Sequence, residues 1–204
     1  DGTKTDLGWA FSQADTPEDP FGSATGHYMG HFLKHFHRGA SPEGRPMPEW
    51  VEVINEPDWE LIDNGDTPPE KVWAFHNAVA DQIRAVVGSR LKIGGYCTTF
   101  PNVDTDDFRE WREQWRLFID MCGHNMDFWT IHLYDWPCIH QGEQHWRKGS
   151  HLEATLDLME HYSHLRLGAP KPFLISEYGA QMHNHMNEPW SAYRDWLFVK
   201  SVNG

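Results

Sequence analysis

Four apolar runs, each leading into an amphipathic stretch, set the limits on what this chain can fold into. The runs are WVEVI (50–54), LKIGGY (91–96), DFWTIHLYDW (127–136) and PFLISEYG (172–179). The stretches that follow them are TPPEKVWAFHNAVADQIRAVVG (67–88), TDDFREWREQWRLFIDMCG (105–123), HLEATLDLMEHYSHLRLG (151–168) and EPWSAYRDWLFVKSV (188–202), and all have helical spacing. A further helix is expected from Phe21 to about Arg38, with Ser23 at its start and Gly39 at its end. In the helix after the first run, Thr67 is expected to cap, Pro68 to take the first helical position, Glu70 to close a capping box and Gly88 to stop the helix. Strand and helix alternating at this spacing means parallel strands joined by crossover helices. Two α/β architectures fit: an open doubly wound sheet, or part of a (β/α)8 barrel. No strand is followed by a Gly-rich phosphate loop, which weighs against the nucleotide-binding version.

The ends of the runs are polar in a way that core packing does not explain. The first run stops at Asn55-Glu56-Pro57, and the second ends in Tyr96 with Thr98 and Thr99 behind it. The third carries His132 and Tyr134 with Asp135 and Trp136 beyond, and the fourth ends in Ser176-Glu177-Tyr178. In a parallel barrel all strand C-termini share one face, where such enzymes keep their chemistry. Two glutamates facing one another there suit glycoside hydrolysis. One carboxyl gives a proton to the leaving oxygen, and the other attacks or activates water.

With INEP, IHLY and ISEYG in this order, the chain resembles the superfamily of retaining glycoside hydrolases built on the eightfold barrel. Within it, EVINEP, WTIHLYDW and LISEYGAQ are most similar to the β-agarase and β-porphyranase family, which acts on red-algal galactans. The resemblance covers roughly residues 50 to 200 and implies a (β/α)8 chain running from helix three to helix seven, strands four to seven. It implies Glu56 as acid/base, Glu177 as nucleophile and Asn55 as a partner of the sugar 2-hydroxyl. His132 and Tyr134 would orient the two carboxyls, and Trp136, Trp59 and Trp190 would stack on sugar rings. No cofactor or metal is implied. A polymeric substrate further implies action outside the cytoplasm, secreted, at the cell surface or in the periplasm. Agarose comes first as substrate and porphyran second, since porphyran's sulfate would call for a cationic side chain in the cleft.

On this reading residues 1–204 are one partial catalytic domain, and the first three strands and the eighth are missing from the chain. Four strands cannot close a barrel, so the remainder of the barrel, in a longer chain, is an expected partner. The composition fits a polysaccharide enzyme. A net charge of −13 weighs against nucleic acid or anionic lipid as partners. No run approaches the length of a membrane span. Eleven Trp exceed what a core of this size needs, so some are expected in a cleft. Cys97, Cys122 and Cys138 show neither a disulfide framework nor a zinc motif.

Blander readings stand beside each assignment. Either glutamate taken singly suits a loop carboxylate paired with a base, His132 a satisfied core histidine, and each Trp a wedge between helix and barrel. At the level of function the rivals are another retaining barrel glycosidase acting on a different β-glycan, a non-catalytic carbohydrate-binding barrel remnant, and a metal-dependent hydrolase. The last would use His27, His31 and His35, which share one helix face but lack a completing carboxylate.

Overall fold

The structure, a computed structural model, describes residues 22–37, 48–89, 91–99, 111–135, 137–140, 143–146 and 150–180. In chain order the elements are α1 (Ser23–His37), β1 (Trp50–Glu52), a π-helical turn (Asp58–Asp63), α2 (Pro69–Val87) and β2 (Lys92–Thr98). A second π-helical turn (Trp111–Arg116) runs into α3 (Leu117–Cys122), followed by β3 (Phe128–Asp135). The antiparallel pair β4 (Pro137–His140) and β5 (Glu143–Trp146) precedes α4 (Ser150–Leu167) and β6 (Phe173–Ala180).

Two observations decide between the competing architectures. The main sheet is parallel throughout, and its strands lie side by side in chain order, β1-β2-β3-β6, without the reversal that marks a doubly wound sheet. The helices that follow the strands also gather on one face. Trp73 of α2 meets Tyr96 with ring centroids 4.6 Å apart, and Phe118 of α3 meets Trp129 at 5.9 Å. From α4, Ser163 Oγ accepts the Trp129 indole N–H at 2.9 Å. Successive strand residues alternate between faces, so Phe128 points the other way and packs against Trp50. A singly wound parallel sheet with helices outside is half of a (β/α)8 barrel.

The aromatic residues explain how the helix layer is held. Trp73, Tyr96, Trp115, Phe118 and Trp129 are buried together between sheet and helices. Part of the tryptophan is core: Trp73 and Trp129 are 0 % exposed and Trp115 is 2 % exposed. Outside this layer α1 lies on α2. Gly26 and Gly30 permit that approach, since a Cβ at Gly26 would stand 2.6 Å from the Val79 carbonyl oxygen and one at Gly30 would stand 2.8 Å from Val86 Cβ.

At the N-terminal ends of the strands, Asp127 accepts the Ile93 N–H and pairs with Arg84, each at 2.9 Å, while Arg84 Nε also donates to Asn125 Oδ1 at 2.8 Å. Burial alone would raise the Asp127 carboxyl, but these donors outweigh it and hold the group below the usual carboxylate range. This bottom rim is concerned with stability, which leaves the opposite rim for chemistry.

Several local expectations change. The first run is a three-residue strand, because beyond Glu52 the backbone turns away from the β2 ladder. Thr67 does not cap α2. Its hydroxyl donates to the Gly65 carbonyl at 3.3 Å, and Pro68 is the N-cap, with no side-chain cap hydrogen bond. The third helical stretch is a π-helical turn continuing into a short α-helix. The β4–β5 pair was not foreseen. The fifth helix, 188–202, lies outside the described residues.

Candidate active site

The upper rim is built by strand ends that leave regular geometry at the same level. After β1 the chain passes through buried Val53 and Ile54 to Asn55 and Glu56. Glu56 has φ +44°, and its N–H donates to the Cys97 carbonyl at 3.0 Å; Cys97 itself has φ +63°. Two non-glycine residues in the left-handed region, locked to one another, cost on the order of 1–3 kcal/mol each, the kind of strain found where a side chain must be aimed.

The ladders carry matching irregularities. Between β2 and β3, Tyr96 pairs with Thr130 and Thr98 with Ile131, which leaves Cys97 as an extra residue. Between β3 and β6, Ile131 pairs with Ile175 and His132 with Glu177, which leaves Ser176 extra. Each is a β-bulge, a device that re-aims side chains near active sites. In a regular ladder Ser176 would stand opposite His132.

These devices bring Glu56, His132 and Glu177 together. His132 is buried, and its Nδ1 lies 2.7 Å from Glu56 Oε1 and 3.4 Å from Glu177 Oε2. One side-chain atom from each of the three residues lies within 4.8 Å of the other two. On the other side of the ring, His132 Nε2 lies 3.0 Å from Cys97 Sγ. Cys97 Sγ is also 3.5 Å from Asn55 Oδ1 and 3.9 Å from Ser176 Oγ.

The trio offers one nitrogen and two carboxylate oxygens, which is also a metal-ligand set. Its spacing is that of hydrogen bonding. Two ligands on a tetrahedral zinc stand about 3.3 Å apart, given bonds of about 2.0 Å, whereas His132 and Glu56 approach to 2.7 Å. Among the described residues this is also the one His/Cys/Asp/Glu group compact enough to share an ion, and it does not include His27 or His31; the side chain of His35 lies outside the described residues.

Just beyond Glu56, Pro57 leads into the first π-helical turn, which buries Asp58. Asp58 Oδ2 accepts the Thr98 hydroxyl at 2.8 Å, and its carboxylate also takes the Thr99 N–H and hydroxyl, so it ties the Glu56 segment to the end of β2. Burial pushes this carboxyl up from 3.8 to about 6, against those hydrogen bonds. An acid whose pKa is raised on folding contributes stability that is complete below the unfolded pKa and lost as pH rises through the folded one. Asp58→Asn is therefore expected to flatten the stability profile between pH 4 and 6. The wild-type-minus-variant unfolding free energy should fall by about 2 kcal/mol from pH 4 to pH 7. Denaturant unfolding at both pH values checks it, and an unchanged difference would mean that Asp58 titrates normally.

The remaining predicted site residues separate. Asn55 lies at the site, beside Cys97. Trp59 is on the rim and half exposed. Trp136 and Trp190 lie outside the described residues, as does the side chain of Tyr134, whose backbone pairs with Gly179. Cys97 and Asp58 were missed. Asp58 adjoins the Asn-Glu-Pro motif and was within reach of a sequence reading, but Cys97 enters the site only through the bulge.

Comparison with known proteins finds similar glycoside hydrolases. No protein-family model matches the chain. It is 50% identical over 184 residues to a funoran endo-β-hydrolase of Wenyingzhuangia aestuarii, an alignment covering 89% of this chain and 24% of the relative. It is 38% identical over 192 residues to a β-agarase of Pseudoalteromonas atlantica, covering 89% of this chain and 37% of the relative. Among solved structures, a family 86 glycoside hydrolase in complex with neoagarooctaose superposes with a TM-score of 0.79 at 47% identity, covering all of this chain and 33% of that one. The chain thus spans between a quarter and two fifths of the length of these relatives.

Proposed function

Since this chain is homologous to the glycoside hydrolases of family 86 over nearly its whole length, we propose that it carries the catalytic glutamates of a retaining endo-hydrolase of red-algal galactans. The observation that carries the mechanism is the meeting of Glu56 and Glu177 within 4.8 Å beside His132. Retaining enzymes place their two carboxyl groups about 5–5.5 Å apart, whereas inverting enzymes leave a gap of about 6.5–9.5 Å for water. Glu177 attacks the anomeric carbon while Glu56 protonates the departing glycosidic oxygen. Glu56, now a base, takes a proton from water, and that water releases the sugar from Glu177. Asn55 is the candidate partner for the sugar hydroxyl next to the reacting carbon, and Trp59 for stacking at the rim. Tyr134, Trp136 and Trp190 keep the roles that the resemblance implies.

Agarose is the first substrate. A neutral polymer suits a chain of net charge −13, and the related family 86 structure is a complex with neoagarooctaose. Such a polymer is met outside the cytoplasm, which is where we place the enzyme, and among the described residues no helix is long and apolar enough to cross a membrane. The inward face of the half-barrel exposes Trp50 and Leu174, and β1 and β6 are edge strands. The remaining strands of the barrel, from a longer chain, are the partner that would cover both.

The test is reducing-end release from agarose, porphyran and funoran by the longer protein, with the anomer formed first followed by proton NMR. A product with the configuration of the cleaved bond is expected, from agarose before the others. The opposite anomer would remove Glu177 as nucleophile, and inactivity on all three would favour a carbohydrate-binding barrel without catalysis.

A further inference from the structure

Resting on the two-glutamate reading above, we propose that Cys97 is a positioning residue: its thiol donates to His132 Nε2 and thereby fixes the tautomer in which His132 Nδ1–H is turned toward both glutamates.

The argument starts from the ring. Two carboxylate oxygens approach His132 Nδ1, at 2.7 Å and 3.4 Å. Glu177, as nucleophile, is ionised, and a nitrogen lone pair set against its oxygen would be repelled, so this nitrogen carries the proton. In a neutral imidazole the other nitrogen is then an acceptor. Facing Nε2 at 3.0 Å is Cys97 Sγ. The thiol is fully buried and keeps its proton: burial, and then the charge of Glu52, push it up to about 12. The thiol has several polar partners within reach: His132 Nε2 at 3.0 Å, the Asn55 amide oxygen at 3.5 Å, the Ser176 hydroxyl at 3.9 Å and the Glu52 carboxylate. The imidazole nitrogen is nearer than the amide or the hydroxyl and more basic than any of the other three.

The backbone has been shaped for this contact. Cys97 is the extra residue of the β2 bulge and sits at φ +63°, and its carbonyl holds the Glu56 N–H at 3.0 Å. One residue thus touches the acid/base segment through its backbone and the histidine between the glutamates through its side chain. A cysteine performing this task is neither nucleophile nor metal ligand. Its chemistry is that of a small, poorly hydrated donor that does not ionise when a charge develops beside it.

The test has two arms. In ¹⁵N-histidine-labelled protein, with His132 assigned against His132→Gln, wild type should show a protonated Nδ1 and an unprotonated, hydrogen-bonded Nε2. Cys97→Ala should shift the Nε2 resonance and mix the tautomers, while Cys97→Ser, which keeps a donor, should restore the wild-type pattern. In the longer protein Cys97→Ala should lower kcat about 10- to 100-fold with KM nearly unchanged, and Cys97→Ser should recover most of it. A wild-type His132 protonated at Nε2, alone or together with Nδ1, would overturn the proposal. So would a Cys97→Ala variant that keeps both the wild-type nitrogen shifts and kcat. Should wild type cleave no galactan, the functional reading falls by itself, and the nitrogen shifts still decide the thiol–imidazole bond.

Discussion

Glu177→Gln, made in the longer protein, is expected to lower kcat on agarose by on the order of 10⁴-fold or more, with oligosaccharide affinity within a few-fold of wild type. The amide fills the same volume at the end of β6 and leaves the bulge at Ser176 undisturbed. What it lacks is a negative oxygen able to form the bond to the anomeric carbon. Without that bond neither half of the double displacement proceeds. Binding depends on the rest of the rim, so calorimetric titration of the variant with an agar oligosaccharide should still give a measurable Kd. Loss of binding together with turnover would make Glu177 a structural residue at a strand end.

Glu56→Ala carries the second-largest effect, about 10²- to 10⁴-fold on polymer, because it removes the proton donor of the first step and the base of the second. The two losses can be separated. A substrate whose leaving group departs unprotonated should form the glycosyl-enzyme at near wild-type speed and then stall, since water is no longer activated. Intact-mass analysis should show one glycosyl unit accumulating, and peptide mapping should place it on Glu177. A variant equally slow on activated and natural substrates, with no adduct, would count against Glu56 as acid/base. The structure adds a caution about the choice of residue. Glu56 adopts φ +44°, a conformation in which the variant keeps the same backbone strain but loses the His132 contact that helps to hold it.

Much of the fold was legible because parallel strands in α/β proteins announce themselves as apolar runs between helical patterns, and all four strands fall within two residues of expectation at each end. The choice between barrel and doubly wound sheet was not legible from alternation. It depends on the side at which each new strand is added, and the observed order β1-β2-β3-β6 supplies that. The capping box at Thr67 failed because its N–H, which Glu70 would have to accept, goes to the Leu61 carbonyl, and its hydroxyl donates to Gly65. Helical spacing predicted the stretch before α3 but not its wider π-type turns, which differ by one residue in hydrogen-bond span. The β4–β5 pair went unseen because PCIHQGEQHW mixes apolar and polar residues without alternation strong enough to announce two short strands.

In the site, Glu56, His132 and Glu177 were readable from INEP, IHLY and ISEYG, since their residue types carry the chemistry. Cys97 was not, because a cysteine after GGY looks like any small buried residue until the ladder shows that it is the extra one. Abundance alone could not say which tryptophans line a cleft, because a flat ring also fills the wide gap between a barrel wall and its helices, as Trp73, Trp115 and Trp129 do.

The paired bulges have a consequence that concerns parity. Low in β6, odd-numbered Phe173 and Ile175 belong to the layer that packs against the helices; above Ser176 the odd position, Glu177, faces the site. In β2 the change comes one step earlier: odd Ile93 and even Tyr96 both lie in the helix-side core, and Cys97 then stands beside His132. Removing one residue at either point would restore an even count and turn a working side chain into the helix layer, with every neighbouring residue type unchanged. Between these positions the length of the strand is as much a determinant of the chemistry as the glutamate at its end.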